Sequence, residues 1–308
     1  MPLLSALLTV AGLILLAALL IWPVQSAMVR RQIFRREPLL ALFVWQAVAL
    51  AAVISLLAAG PVALLLLRDH IALGDPRHLG IVGVALAVTG FMVIRLLIAG
   101  HQVGASLRRT RREHVELLEL VGREFDELEE LDLGRPSRHL RVIDHPAPTA
   151  YCIPGLTHRV VISTGVLERL GQPEILAVLA HERAHVRARH DLLVEFFTVL
   201  HTAMPKSLRQ HAVLEEVRLL AEVLADRAGA RAIGRVPMGR ALVALAGSRH
   251  PVATFAASTS TVSAAHVRLN LLSDAGRRNW IMVATMIGYA LLSLALPAAV
   301  VLWVNALT

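Results

Sequence analysis

Four long apolar runs constrain this chain more than any other feature. A helix needs about 20 apolar residues to cross the hydrocarbon core of a bilayer. Runs of that length lie at Leu3–Trp22, Leu39–Leu67, Gly80–Ala99 and Trp280–Val304. The first and last carry no charge. The second holds a Gly60-Pro61 pair expected to break its helix near the end, and the third carries Arg95, close enough to one end to snorkel outward. The 56% hydrophobic content and mean hydropathy of +0.62 exclude a soluble globular or a disordered chain. The first run lacks a basic stretch ahead of it and is about twice as long as a signal-peptide apolar core, so it is read as retained.

Arginine placement gives an orientation. The net charge is +8, and Lys206 is the one lysine among 31 basic residues. Arg30, Arg31, Arg35 and Arg36 follow the first run, Arg108, Arg109, Arg111 and Arg112 follow the third, and Arg277 and Arg278 precede the fourth. Positive loops stay on the cytoplasmic side. The expectation is therefore a multi-pass plasma-membrane protein with residues 1–100 as three spans, 101–279 as a cytoplasmic domain, and 280–308 as a fourth span with a short external tail. Both termini then lie outside. The arginines suit anionic lipid beside the spans, and no direct nucleic-acid binding is expected. A single cysteine, Cys152, excludes an internal disulfide framework and a cysteine-rich zinc ribbon, and fits a reduced compartment.

The region between the third and fourth runs is the only stretch long enough for a folded domain. From Glu113 to Leu133, Leu118, Val121, Phe125 and Leu128 recur at helical spacing between acids, predicting an amphipathic helix that continues the third span. Short β-prone runs at 141–143, 149–153 and 159–163, separated by Pro146, Pro148, Pro154 and Gly155, predict a sheet of two or three strands. Gln172-Pro173-Glu174 then opens a helix expected to reach about Arg189, with further helices to about Ile233.

That helix carries His181-Glu182-Arg183-Ala184-His185. Residues four apart share a helical face, so both imidazoles can reach one zinc ion while Glu182 faces a water that the metal activates. The carboxylate can take the water's proton and return it to a leaving amine, which is peptide-hydrolysis chemistry. A catalytic zinc takes a third protein ligand. His190 misses the spacing of a third histidine ligand by one position. Glu195, Glu215, Glu216 and Glu222 are the downstream carboxylates, and Glu222 is favoured because Asp226, one turn on, could orient a ligand histidine. The alternative is a solvated acidic stripe through Glu215, Glu222 and Asp226.

His181 to His185, with Glu222 and Asp226 beginning 37 residues later, resembles the gluzincin peptidases that include HtpX and the BlaR/MecR antirepressors. Ala150 to Gly155, Val161 to Leu167, and Glu174 to Ala180 are similar to the segments preceding the motif in those groups. Three spans before the domain and one after match the BlaR/MecR layout better than the HtpX layout, which has two on each side. The resemblance implies a mainly α membrane protein of four transmembrane helices with a cytoplasmic gluzincin-like α+β zinc peptidase domain. It implies one zinc per chain held by His181, His185 and Glu222, with Glu182 catalytic and Asp226 behind the ligands. The implied partner is a cytoplasmic protein substrate, a DNA-binding transcriptional repressor cut when an outside signal arrives. Only four residues follow Val304, so the penicillin-binding sensor of β-lactam-responsive members is not expected. An HtpX-like quality-control protease and a non-catalytic membrane receptor or scaffold are the alternatives. Arg268 to Leu272 is similar to an arginine-containing segment late in these domains. His201, His266 and Tyr151 are conceivable transition-state donors with structural roles as the alternative, and Cys152 is expected to be inert.

Overall fold

A computed structural model describes residues 2–71, 76–121, 123–124, 140–153, 159–246, 262–274 and 279–307. Phe125, Leu128, Pro154, Gly155, Arg277 and Arg278 lie outside the described residues. The described chain is mainly helical with one small sheet. Its elements are α1 (Pro2–Leu19), α2 (Gln25–Arg30), α3 (Pro38–Ile71), α4 (Pro76–Val121), β1 (Arg123–Glu124), β2 (Leu140–Ile143), β3 (Ala150–Ile153) and β4 (Arg159–Ser163). Then come α5 (Thr164–Arg169), α6 (Gln172–Ala188), α7 (His190–Ala203), α8 (His211–Ala232), α9 (Arg235–Leu245), α10 (Val262–Ser273) and α11 (Trp280–Leu307). They form two compact units, one of Met1–His101, Val199–Val213 and Arg278–Thr308, the other of Gln102–Thr198 and Leu214–Arg277.

Four helical stretches among the described residues are long and apolar enough to cross a membrane: Leu3–Arg30, Pro38–Asp69, Pro76–Glu119, which runs on into the second unit, and Trp280–Val304. Small side chains let the helices approach, with Ala6, Ala63 and Ala85 fully buried beside Val10, Leu67 and Val82. Large apolar side chains face outward, Leu97 at 68% exposure and Ile281 at 80%, as a lipid solvent permits.

Two expectations fail here for one physical reason. The helix does not break at Gly60-Pro61, where Thr89 of α4 bonds the backbone groups beside the proline and lies 3.5 Å from Leu57 O, the carbonyl that Pro61 cannot serve. Its hydroxyl donates to Leu56 O (2.9 Å) and accepts from the Gly60 N–H (2.9 Å). Gly60 is also a close approach, since a Cβ there would stand 3.2 Å from Leu86 Cα. Arg95 does not snorkel. Its guanidinium donates to the carbonyls of Ala203 (2.9 Å), Thr202 (3.0 Å) and Met204 (3.2 Å), and Arg209 adds bonds to Met204 and Thr202. Together they cap the carbonyl end of α7. Where Pro23 lies in a π-turn (Leu20–Val24), the Gln210 side-chain amide donates to Ile21 O at 2.6 Å.

In the second unit the sheet has the order β1-β2-β4-β3, with β2 and β4 parallel and the outer pairs antiparallel. It has one strand more than expected. β1 lies at Arg123–Glu124, inside the stretch read as a continuous amphipathic helix, and α4 ends at Val121. Period-two alternation divides the strands between two cores. Leu140, Val142, Ala150, Val160 and Ile162 pack with Val166 of α5 and with Ile175, Val178 and Leu179 of α6. Tyr151, Ile153 and Val161 pack with Leu118 of α4. The sheet thus gives α6 an apolar floor.

Candidate active site

Helix α6 starts as its sequence predicts, with Pro173 and Glu174 in the first turn. It ends where Arg189 takes a left-handed conformation (φ 49°) and its N–H bonds back to His185 and Val186. Helix α7 begins with the next residue, so His190 is turned back toward His185.

Helix α8 approaches α6 closely because residue 229 is glycine. A Cβ there would stand 2.9 Å from the Ala177 carbonyl and 2.6 Å from Met238 Sδ. The approach brings Glu222 and Asp226, each 1% exposed, under the histidines. Their burial overturns the solvated acidic stripe; of its three members only Glu215 is exposed. Helix α10 packs by Leu269 and Leu272 against Ala177, Met238 and Leu242, and this orients Arg268.

The ligating atoms converge. His181 Nε2 and His185 Nε2 are 3.1 Å apart, with Glu222 Oε2 3.6 Å from the first and Glu222 Oε1 3.4 Å from the second. Among the described residues, His181, His185 and Glu222 form a group whose ligand atoms all lie within 4.8 Å of one another. Behind them, Asp226 Oδ1 is 2.9 Å from His181 Nδ1. Arg268 donates to both Asp226 oxygens (2.8 and 2.6 Å), and its Nη1 lies 3.0 Å from Glu222 Oε2. His190 Nδ1 is 3.0 Å from His185 Nδ1.

The electrostatics follow from two buried carboxylates against one guanidinium. Burial opposes the ionisation of Glu222 and Asp226, but Arg268 outweighs it and holds both below the usual carboxylate range. Burial also opposes charge on His181, yet Asp226 and Glu222 prevail and raise it to about 10. His185 and His190 are lowered by burial to about 3 and about 4. Burial pushes Glu182 up to about 7, and a backbone hydrogen bond from Cys152 on β3 works the other way. The buried Glu222 Oε1 makes no hydrogen bond. That orphaned anionic oxygen beside two imidazole nitrogens fits a divalent cation with nitrogen and oxygen ligands, the donor set zinc takes in hydrolases.

The remaining sequence candidates do not join the cluster. Tyr151 is buried on the α4 face of the sheet, its hydroxyl 3.1 Å from His114 Nε2. His201 stacks edge-on against His211 in the first unit, and His266 is exposed. Cys152 is buried, and burial raises its thiol. Spacing along the chain singles out neither Arg268 nor His190. Their contributions depend on the α10 packing and the Arg189 turn, which no spacing rule encodes.

Two buried helical histidines, a carboxylate from a second helix and a glutamate within the first motif define a metallopeptidase-type centre. Residues 121–273 match the model of Peptidase family M48. The crystal structure of S. mikatae Ste24p is similar at 17% identity and a TM-score of 0.39, over 62% of this chain; the chain spans 64% of that protein's length. No curated protein matches the chain.

Proposed function

We propose that the chain is an integral-membrane zinc-dependent endopeptidase whose zinc is held by His181, His185 and Glu222. The observation that carries this reading is the convergence of both Nε2 atoms and the Glu222 carboxylate in a buried pocket. Bound zinc would supply Lewis-acid polarisation and lower the pKa of a water toward about 7. Glu182, raised to about 7, accepts the proton of the attacking water on its carboxylate and passes it to the leaving amine nitrogen. β3 is an edge strand, and the Cys152 backbone bonds to Glu182, so an extended peptide adding alongside β3 is led past that carboxylate. Asp226 and Arg268 hold His181 and Glu222 in place.

The substrate we propose is a cytoplasmic protein, a DNA-binding repressor, cut on the side where the Arg30–Arg36 and Arg108–Arg112 clusters lie, with both termini external. The family match reaches the metallopeptidase level, which also favours a second reading, an HtpX-like enzyme acting on misfolded membrane proteins. One experiment separates them. Purified wild type is expected to carry about one zinc per chain, and Glu182→Gln to keep the zinc while cleavage falls about 10²–10⁴-fold. Proteins trapped by Glu182→Gln in membranes are then identified. A single soluble repressor supports the first substrate class and many membrane proteins the second; unchanged cleavage by Glu182→Gln rejects the peptidase mechanism.

A further inference from the structure

The two histidines that face each other across the pocket are backed by different groups. His181 Nδ1 meets a carboxylate, Asp226, at 2.9 Å, whereas His185 Nδ1 meets another imidazole, His190 Nδ1, at 3.0 Å. His190 is 4% exposed, and its ring crosses that of His185 edge-on, at 83° with centroids 4.9 Å apart. Two Nδ1 atoms at that distance make a hydrogen bond only if one carries the proton and the other offers its lone pair.

We infer that His190 is a positioning residue that fixes the tautomer of His185, an inference that rests on the zinc reading above. The nitrogen of His185 aimed at His181 and Glu222 is Nε2, and a ring nitrogen ligates a metal only with its lone pair. The proton of neutral His185 therefore belongs on Nδ1, where His190 Nδ1 accepts it, and the proton of His190 belongs on its own Nε2. The backbone supplies this acceptor through one residue. Arg189 in its left-handed conformation ends α6 and starts α7, which puts the side chain five positions after His185 back against it. Helical spacing alone pairs residues three and four apart, so without that turn His190 would point elsewhere. The two ligands are thus oriented by unlike acceptors, an anion for one and a neutral ring for the other, and the second imposes direction without adding negative charge to the pocket.

The test compares full-length, detergent-solubilised wild type with His190→Leu and His190→Phe, which remove the acceptor, and His190→Asn, whose side-chain oxygen can stand where Nδ1 stood. Zinc affinity is read by competition with a chromophoric chelator, and the thermal midpoint of each metal-free variant reports packing. Leu and Phe are expected to weaken zinc binding about 10–100-fold. Asn is expected to recover most of that loss although its metal-free midpoint is no higher than theirs. Zinc binding by Leu and Phe at wild-type strength, or equal weakness in all three variants, overturns the tautomer role. Wild type that takes up no zinc overturns the proposed function itself, a result distinct from indifferent variants of a zinc-binding wild type.

Discussion

Buried and half-buried polar side chains serve opposite ends in the two units. In the membrane-helix unit they serve the backbone. Thr9 and Ser55 donate to carbonyls one turn back, Thr89 bridges the gap before Pro61, Arg95 caps α7, and Gln210 fills the π-turn beside Pro23. At the site in the other unit, buried polar side chains face each other, and one carboxylate oxygen of Glu222 stays without a hydrogen bond. The first pattern keeps helices continuous where no water can satisfy them. The second leaves ligating capacity unused by the protein, which is what a binding site is made of.

Acid is expected to produce the largest separation between the units. His185 and His190 stay neutral in the fold down to about 3 and about 4, while unfolded histidines take up protons near 6.5. Between about pH 6.5 and 4 the unfolded state binds more protons at these two positions, so each loses stability as pH falls. Glu182, raised to about 7, works the opposite way, and His181, raised to about 10, does so only at the upper edge of the window, so the two lowered histidines prevail. Thermal unfolding of the metal-free chain, followed by circular dichroism, is expected to move to lower temperature across that window. A flat profile there would contradict the buried, neutral pair.

Arg268→Leu comes next. It leaves Glu222 and Asp226 buried without their cation, a change worth about 3–5 kcal/mol, and zinc affinity should collapse with it. Retention of wild-type stability and zinc would mean the carboxylates do not depend on α10. Gly229→Ala sharpens the contrast by adding one methyl between α6 and α8. Overpacking of this kind costs about 1–3 kcal/mol, and the displaced Glu222 is expected to show as weaker zinc binding in chelator competition. Thr89→Val is the smallest, about 1–2 kcal/mol for the stranded Gly60 and Leu56 groups. It is expected to lower resistance to denaturing detergent while leaving zinc affinity unchanged, and an equal loss of zinc would erase the distinction between the two kinds of polar burial.

Much of this was readable from sequence, and the misses have a common source. The four spans, the continuation of the third beyond the apolar run, and the start of α6 are set by length, periodicity and proline placement. Helix through Pro61, the capping role of Arg95 and the strand at Arg123–Glu124 escape the sequence because each depends on a partner remote in the chain. Thr89 is 29 residues from Gly60, Ala203 is 108 from Arg95, and β1 exists by pairing with β2. The site divides in the same way. The helical repeat puts His181, Glu182 and His185 together, whereas four glutamates were open as the third ligand until burial set Glu222 apart from Glu215.

By itself the amino-acid order determined which segments are apolar enough to meet lipid and which helix carries two histidines one turn apart, since both depend on neighbours within a few residues. Tertiary structure alone decided that Glu222 faces those histidines, that Arg268 balances its charge, and that His190 returns to His185. Those relations follow from how closely helices pack, at Gly229, and how sharply the chain turns, at Arg189. Such distances are fixed by steric contact between elements, and spacing along the chain does not encode them.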